Sequence, residues 1–289
     1  MWPFERQADV VRVGRNRVEY WASSAQGLVL RGEQAIAGAE SMQAAALAVS
    51  LGLLFQTVRG AAGSHQSAIR IDMIFESAWM PIMLIEAGHS LWSPKPIEAL
   101  LRHRFAQLYN DRDDPTAIWR LQLDHQPGDA YGLGYGMAPS IRQAAIDAAA
   151  AAGVRLASLQ PAFSWGRQRL RRQRGRVLGG AARRNVWWLW IEQDRSLVCH
   201  FDDRGRLNSL NTGAAVPKDA AQCLRFIDIE ALRQGVPAAE TPGVVAGWHQ
   251  APHAARGSIA DRLAFVTVAA EEAALPFGSA PPVHAGAGA

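Results

Sequence analysis

Residues 185–211 read NVWWLWIEQDRSLVCHFDDRGRLNSLN. Three strand-like runs, Val186–Glu192, Leu197–Phe201 and Arg206–Asn211, are separated by Gln193-Asp194-Arg195 and by Asp202-Asp203-Arg204-Gly205. Connections this short predict an antiparallel meander. Alternation sends Trp188 and Trp190 to one face and Trp187 to the other. A run apolar on both faces predicts a buried central strand rather than an exposed aromatic surface. The meander follows an arginine-rich helical stretch and a Gly179-Gly180 break, so it opens a second half of the chain.

Upstream, residues 10–22 and 27–31 read as two strands around the turn Ser23-Ser24-Ala25-Gln26-Gly27. Ser41 caps a helix running to about Val58. Its apolar run Ala44–Phe55 contains Ser50 and Gly52 and is too short to span a bilayer, which predicts a packed helix. Ile69, Ile71, Met73 and Phe75 alternate with Arg70, Asp72 and Glu76, save at Ile74, and predict a half-buried strand. A second strand is predicted over Trp79–Glu86. Pro94 and Pro96 open a helix with Ile97, Leu100, Leu101, Phe105 and Leu108 on one face. Strands follow at Trp119–Leu123 and Tyr131–Met137, joined by the turn Gln126-Pro127-Gly128-Asp129. Pro139 starts an alanine-rich helix that stops at Gly153; a strand over 154–163 and a helix over 163–178 come next. Downstream, the pattern predicts a strand at 225–229, a helix near 258–274 and a disordered Pro/Gly/Ala tail at 276–289.

Charge is concentrated. No acidic residue lies between Asp147 and Glu192, and that interval holds Arg155, Arg167, Arg169, Arg171, Arg172, Arg174, Arg176, Arg183 and Arg184. The net charge is only +4, so the rest of the chain is net acidic and the basicity is one local patch. Successive like charges on a helix repel, and an anionic partner relieves that. Arg167, Arg169, Arg171, Arg172, Arg174 and Arg176 are therefore the candidate partner-binding residues. Two cysteines, Cys199 and Cys223, exclude a disulfide framework or a four-thiolate zinc site. The N-terminal Met1-Trp2-Pro3-Phe4-Glu5-Arg6 is not a signal peptide, and the expected location is cytoplasmic.

Catalytic and cofactor motifs each need a specific geometry. Tyr131-Gly132-Leu133-Gly134-Tyr135-Gly136 alternates strictly within one strand, which suits close helix packing better than a phosphate loop. Gly175–Gly180 lacks the Lys-Ser/Thr of a P-loop. Asp203-Arg204-Gly205 reads as a turn. His249 and His253 are separated by Pro252, Cys199 and His200 point to opposite strand faces, and Asp111, Asp113 and Asp114 lack the EF-hand glycine. No catalytic, cofactor-binding or metal residue is predicted.

The order of elements suggests a duplicated ribonuclease-H-like plan. Over residues 69–212 the sequence resembles the cytoplasmic actin-like components of type IV pilus and type II secretion platforms, the PilM and GspL families. The residues that carry it are Ser77-Ala78-Trp79, Trp92-Ser93, Glu98 with Arg104-Phe105 and Tyr109, Trp119, Ser158-Leu159-Gln160-Pro161 and the Val186–Glu192 strand. The resemblance implies an α/β, two-lobed actin-like fold with mixed sheets. A first lobe over 1–178 includes an N-terminal strand–helix extension, a second lobe covers 185–275, and 276–289 is the tail. It implies a non-catalytic scaffold, peripheral at the inner membrane, that docks the cytoplasmic tail of a single-pass assembly protein. An assembly ATPase, anionic lipid and self-association are further partners. Actin-like ATPases carry Asp-x-Gly-Ser/Thr at the start of each half. Neither Ile71-Asp72-Met73-Ile74 nor Ile191-Glu192-Gln193-Asp194 has it, which predicts a pseudo-ATPase without cofactor. The alternatives are a nucleic-acid-binding protein using the Arg167–Arg184 patch, with Trp165 beside it for stacking, and an enzyme of unrecognised class.

Overall fold

The strand Val186–Ile191 lies at the centre of a five-stranded sheet, as its two apolar faces require. The computed structural model describes residues 8–25, 27–38, 43–62, 69–86, 94–109, 119–124, 131–178, 185–213, 215–237, 242–248, 262–267 and 269. In chain order the strands are β1 (Asp9–Val13), β2 (Arg17–Ser24), β3 (Gly27–Ala35), β4 (Arg70–Phe75), β5 (Ile82–Glu86), β6 (Arg120–Asp124), β7 (Tyr131–Met137), β8 (Arg155–Pro161), β9 (Val186–Ile191), β10 (Ser196–Phe201), β11 (Leu207–Gly213), β12 (Gly243–Gly247) and β13 (Leu263–Thr267). The helices are α1 (Ala44–Ala62), α2 (Pro94–Tyr109), α3 (Pro139–Ala151), α4 (Ala162–Leu178) and α5 (Ala220–Gln234).

Two sheets share one plan. The first runs β3-β2-β1-β4-β8 and the second β11-β10-β9-β12-β13. In each, an antiparallel meander is extended by two parallel strands: β1 pairs β4 and β4 pairs β8, as β9 pairs β12 and β12 pairs β13. Parallel neighbours need crossovers, and α1 and α5 supply the equivalent first one in each half. This is a duplicated ribonuclease-H-like arrangement with mixed sheets. A third, antiparallel sheet, β5-β7-β6, lies in the chain between β4 and α3.

Several local expectations change. Residues 10–22 form two strands, because Gly14-Arg15-Asn16 makes the turn between β1 and β2. The N-terminal segment supplies three of the five strands of the first sheet, with β1 at its centre, rather than extending a lobe built elsewhere. Trp79 precedes β5 in a turn: its amide and that of Met80 both donate to the Glu76 carbonyl. The strand expected at 225–229 is part of α5. Asp219 caps this helix by accepting from the Gln222 amide, Gly235 ends it at φ 64°, and Cys223, Ile227 and Ala231 bury one face. Within the helix expected near 258–274, residues 263–267 are the strand β13. The tail 276–289 lies outside the described residues.

The largest core is continuous between the two large sheets. It takes β1, β2, β4, α1 and α3 from the first half, Trp188, Trp190, Leu197, Cys199 and Phe201 from the second, and α4 between them. Trp187, Leu189 and Val198 face the other way, against Cys223 and Ile227 of α5. The glycine face of β7 does admit a helix. A Cβ on Gly134 would lie 2.1 Å from Leu101, and one on Gly136 2.3 Å from Phe105, both on α2. Among the described residues no helix is long and apolar enough to cross a membrane.

Gly166 of α4 brings that helix against the second sheet: a Cβ there would stand 2.2 Å from the Trp190 indole. Overpacking at such a contact costs about 1–3 kcal/mol. Gly166→Ala is expected to lower the unfolding free energy by that amount, read from a denaturant titration as an earlier midpoint. Gly52→Ala, whose added methyl meets nothing within 4 Å, is expected to stabilise by up to about 1 kcal/mol through helix propensity.

Candidate functional site

The two meanders present their first turns to each other. Gly14-Arg15-Asn16 joins β1 to β2, and Glu192-Gln193-Asp194-Arg195 joins β9 to β10. Each is closed by a local backbone bond, Gly14 N to Arg17 O at 3.0 Å and Glu192 N to Arg195 O at 2.9 Å. The segment after β4, Glu76-Ser77-Ala78-Trp79, lies beside both. Its Trp79 indole N–H donates to the Gly14 carbonyl at 2.8 Å.

Side chains fill the space between the turns. Arg15 pairs with Asp194 at 2.8 Å. The Gln193 carboxamide oxygen accepts from the Asn16 amide at 3.1 Å, and its nitrogen donates to the Arg17 carbonyl at 3.4 Å. The Gln193 amide donates to Glu76 Oε2 at 3.0 Å. The Ser77 amide reaches both Glu192 oxygens at 3.1 Å, and its hydroxyl donates to Glu192. Gly14 leaves room for Gln193: a Cβ there would be 2.1 Å from the Gln193 carboxamide and would push that side chain out of the row.

Behind this row lies a buried ion cluster. Arg12 Nε donates to Glu76 Oε1 at 2.8 Å, Nη2 also contacts that oxygen, and Nη1 donates to Glu19 at 3.0 Å. Glu19 also accepts from the Trp21 indole at 3.1 Å and pairs with Arg17 at 2.8 Å. Burial, with the charge of Glu76 beside it, pushes Glu192 up to about 8. Against the upward push of partial burial, Arg195 and Arg15 hold Asp194 below its ordinary value. Carboxylate oxygens of Glu76, Glu192 and Asp194 lie within 4.8 Å of one another, as a cation site needs. Each already accepts from protein donors, so a cation there competes with the lock itself.

No protein-family model matches the chain, and no curated protein matches it in sequence. Solved structures similar to it over most of its length include the following two. A Bacteroides thetaiotaomicron protein of actin-like ATPase fold and unknown function shares 10% identity, over 86% of this chain and 83% of that one, with a TM-score of 0.53. The PilM-PilN type IV pilus biogenesis complex shares 12% identity, over 84% of this chain and 82% of that one, with a TM-score of 0.54. The fold is actin-like. The start of the first actin-like half is β1, so the residues to compare with Asp-x-Gly-Ser/Thr are Arg12-Val13-Gly14-Arg15, not Ile71-Asp72-Met73-Ile74. The glycine is present, but arginine stands at both the aspartate and the hydroxyl positions. In the second half Gln193 and Asp194 stand where the pattern needs a glycine turn.

The arginine patch divides. Arg167 is 3% exposed, 3.5 Å from Asp124 and 5.3 Å from the Phe201 ring, so it belongs to the interior rather than to a solvated face. Arg169 is half-buried, 4.8 Å over the ring of Trp165. Trp165 is itself buried and stacks on Trp248 at 4.7 Å, so it offers no free face to a base. Arg171, Arg172, Arg174 and Arg176 continue α4 in the backbone, and their side chains lie outside the described residues. Arg183 and Arg184 do too. Sequence reading missed Arg12, Glu19, Glu76 and Gln193. The available signal was an arginine inside the otherwise apolar run Val10–Val13.

The ordinary value of a glutamate, 4.5, lies below the folded value of Glu192, about 8. The folded state thus holds a proton that the unfolded chain releases. The stability so gained is complete below pH 4.5 and is lost as pH rises through about 8, at up to about 1.4 kcal/mol per pH unit. The melting temperature is expected to fall between about pH 4.5 and 8 and to level off above that range. Glu192→Gln, which cannot ionise, is expected to flatten that fall; an undiminished slope in the variant assigns the proton elsewhere.

Proposed function

We propose that the chain is a non-catalytic cytoplasmic scaffold of a pilus or secretion assembly platform. It sits peripherally at the inner membrane and docks the cytoplasmic tail of a membrane-anchored assembly protein. One observation carries the reading: the turns that would cradle phosphates in an actin-like ATPase are bonded to each other through Arg15, Gln193 and Asp194. A cradle needs free backbone amides. Here the Asn16 and Gln193 amides are donated to Gln193 and Glu76. Nucleotide therefore has to break this lock before it binds, and an assembly role needs no such step.

The likeness of fold to the PilM-PilN complex supports the setting and the class of partner. The stretch Arg171–Arg176 is the docking patch in this reading, reduced from the wider cluster because Arg167 is buried and Arg169 lies against Trp165. Electrostatic docking of this kind gives orientation and association rate, and it weakens with salt.

Calorimetry with magnesium-ATP at millimolar concentration is expected to give no saturable heat. Micromolar affinity would overturn the reading and return the chain to the enzymes. Replacing Arg171, Arg172, Arg174 and Arg176 by glutamine is expected to release the protein from inner-membrane fractions while changing its melting temperature little. Submicromolar, sequence-independent nucleic-acid binding near physiological salt, lost in that same variant, would point to the nucleic-acid class instead.

A further inference from the structure

Arg167 is the least satisfied charge in the described interior. It projects from α4 into the junction of the third sheet with the second large sheet. Asp124 at the end of β6, Tyr135 of β7, Ser164 of α4, and Cys199 and Phe201 of β10 gather around it. Its Nη1 lies 3.5 Å from Asp124 Oδ2, longer than the 2.7–2.9 Å usual for a charged pair. That Asp124 oxygen also accepts from the Ser164 hydroxyl at 2.9 Å. Arg167 Nε and Nη2 have no hydrogen-bond partner, and neither does the Tyr135 hydroxyl, although all three atoms are buried.

Nε and Nη2 form one edge of the planar guanidinium, with two parallel N–H donors. That edge matches the two oxygens of a carboxylate. Asp124 engages only Nη1, and the other neighbours supply no acceptor for this edge. Burial raises the Cys199 thiol and the Tyr135 phenol well above their ordinary values, so both stay protonated and Tyr135 remains a donor. Of these side chains, Asp124 is 23% exposed to solvent.

We propose that Arg167 anchors a carboxylate-binding site at the junction of β6, β7, α4 and β10. The guanidinium edge takes one monocarboxylate group, and the Tyr135 hydroxyl is the third donor. A phosphate dianion fits less well, because Asp124 already sets one negative charge against the same arginine. A free small carboxylate and an acidic side chain of a docking peptide offer this same group. The site is independent of the scaffold reading.

The test is a titration of the full chain with sodium acetate, watching the arginine Nε–Hε resonances by NMR against sodium chloride at matched ionic strength, acetamide and sodium phosphate. One resonance, absent in Arg167→Lys, is expected to shift saturably with acetate and not with chloride or acetamide. Tyr135→Phe, which keeps that resonance, is expected to weaken acetate several-fold. A capped Gly-Glu-Gly peptide that saturates the same shift at least tenfold below acetate assigns the site to peptide side chains, and equal or weaker binding assigns it to free carboxylates. No saturable shift, an equal response to acetamide, tighter binding of phosphate, or an unchanged affinity in Tyr135→Phe overturns the proposal. If Arg167→Lys fails to fold, the acetate–acetamide contrast and Tyr135→Phe still decide it.

Discussion

Arg12 is held between two carboxylates, Glu19 of its own meander and Glu76 after β4, and all three side chains are buried. A charge taken out of water is tolerated only when its donors are met, and removing one partner of such a group typically costs 3–5 kcal/mol. Arg12 meets the condition with Nε, Nη1 and Nη2 all engaged. Glu76 completes it by accepting from the Gln193 amide of the other half. The ion cluster of the first half is thereby a fixed platform against which the second half docks. Arg15, Asp194, Ser77 and Glu192 add bonds on either side of it.

The same arginine is tied to the aromatic core. Its guanidinium lies 5.5 Å from the Trp248 ring, and Trp248 lies between Trp21 of β2 and Trp165 of α4, at 5.9 and 4.7 Å. Three tryptophans from three parts of the chain thus pack together across the boundary between the halves, Trp165 stacked on Trp248 and Trp21 tilted against it. Polar bonds in the cleft fix register, and the continuous apolar core supplies the bulk of the burial energy.

The second half is built to receive that contact. β9 sends Trp188 and Trp190 toward α4 and the first half, and Trp187 and Leu189 toward α5. Gly166 lets α4 approach Trp190 closely enough to edge Phe163 against it at 6.1 Å. α4 therefore serves as an internal wall between the halves over its first turns. This is why the arginine helix could not be a uniformly solvated face, and why Arg167 ended inside.

The sequence by itself determined what depends on neighbours along the chain. Period-two patterns placed β4, β6 and β7, and a continuous apolar run placed β9. Alternating glycines in β7 announced the close approach of a helix, and the apolar β9 announced its central position. The cap Asp219-x-x-Gln222 and the stop Gly235 were equally local, and they outrank the short apolar run that suggested a strand at 225–229. Tertiary structure alone decided the rest. Whether Arg12 meets Glu76, 64 residues away, or Gln193 meets Gly14 across the cleft, depends on which strands pair in which sheet. Arg167 and Arg169 look alike in sequence and lie two positions apart. They face different surroundings only because a helix turns about 100° per residue and one side of α4 is covered. A charge has no periodicity of its own; its environment is set by the far segments that fold onto it.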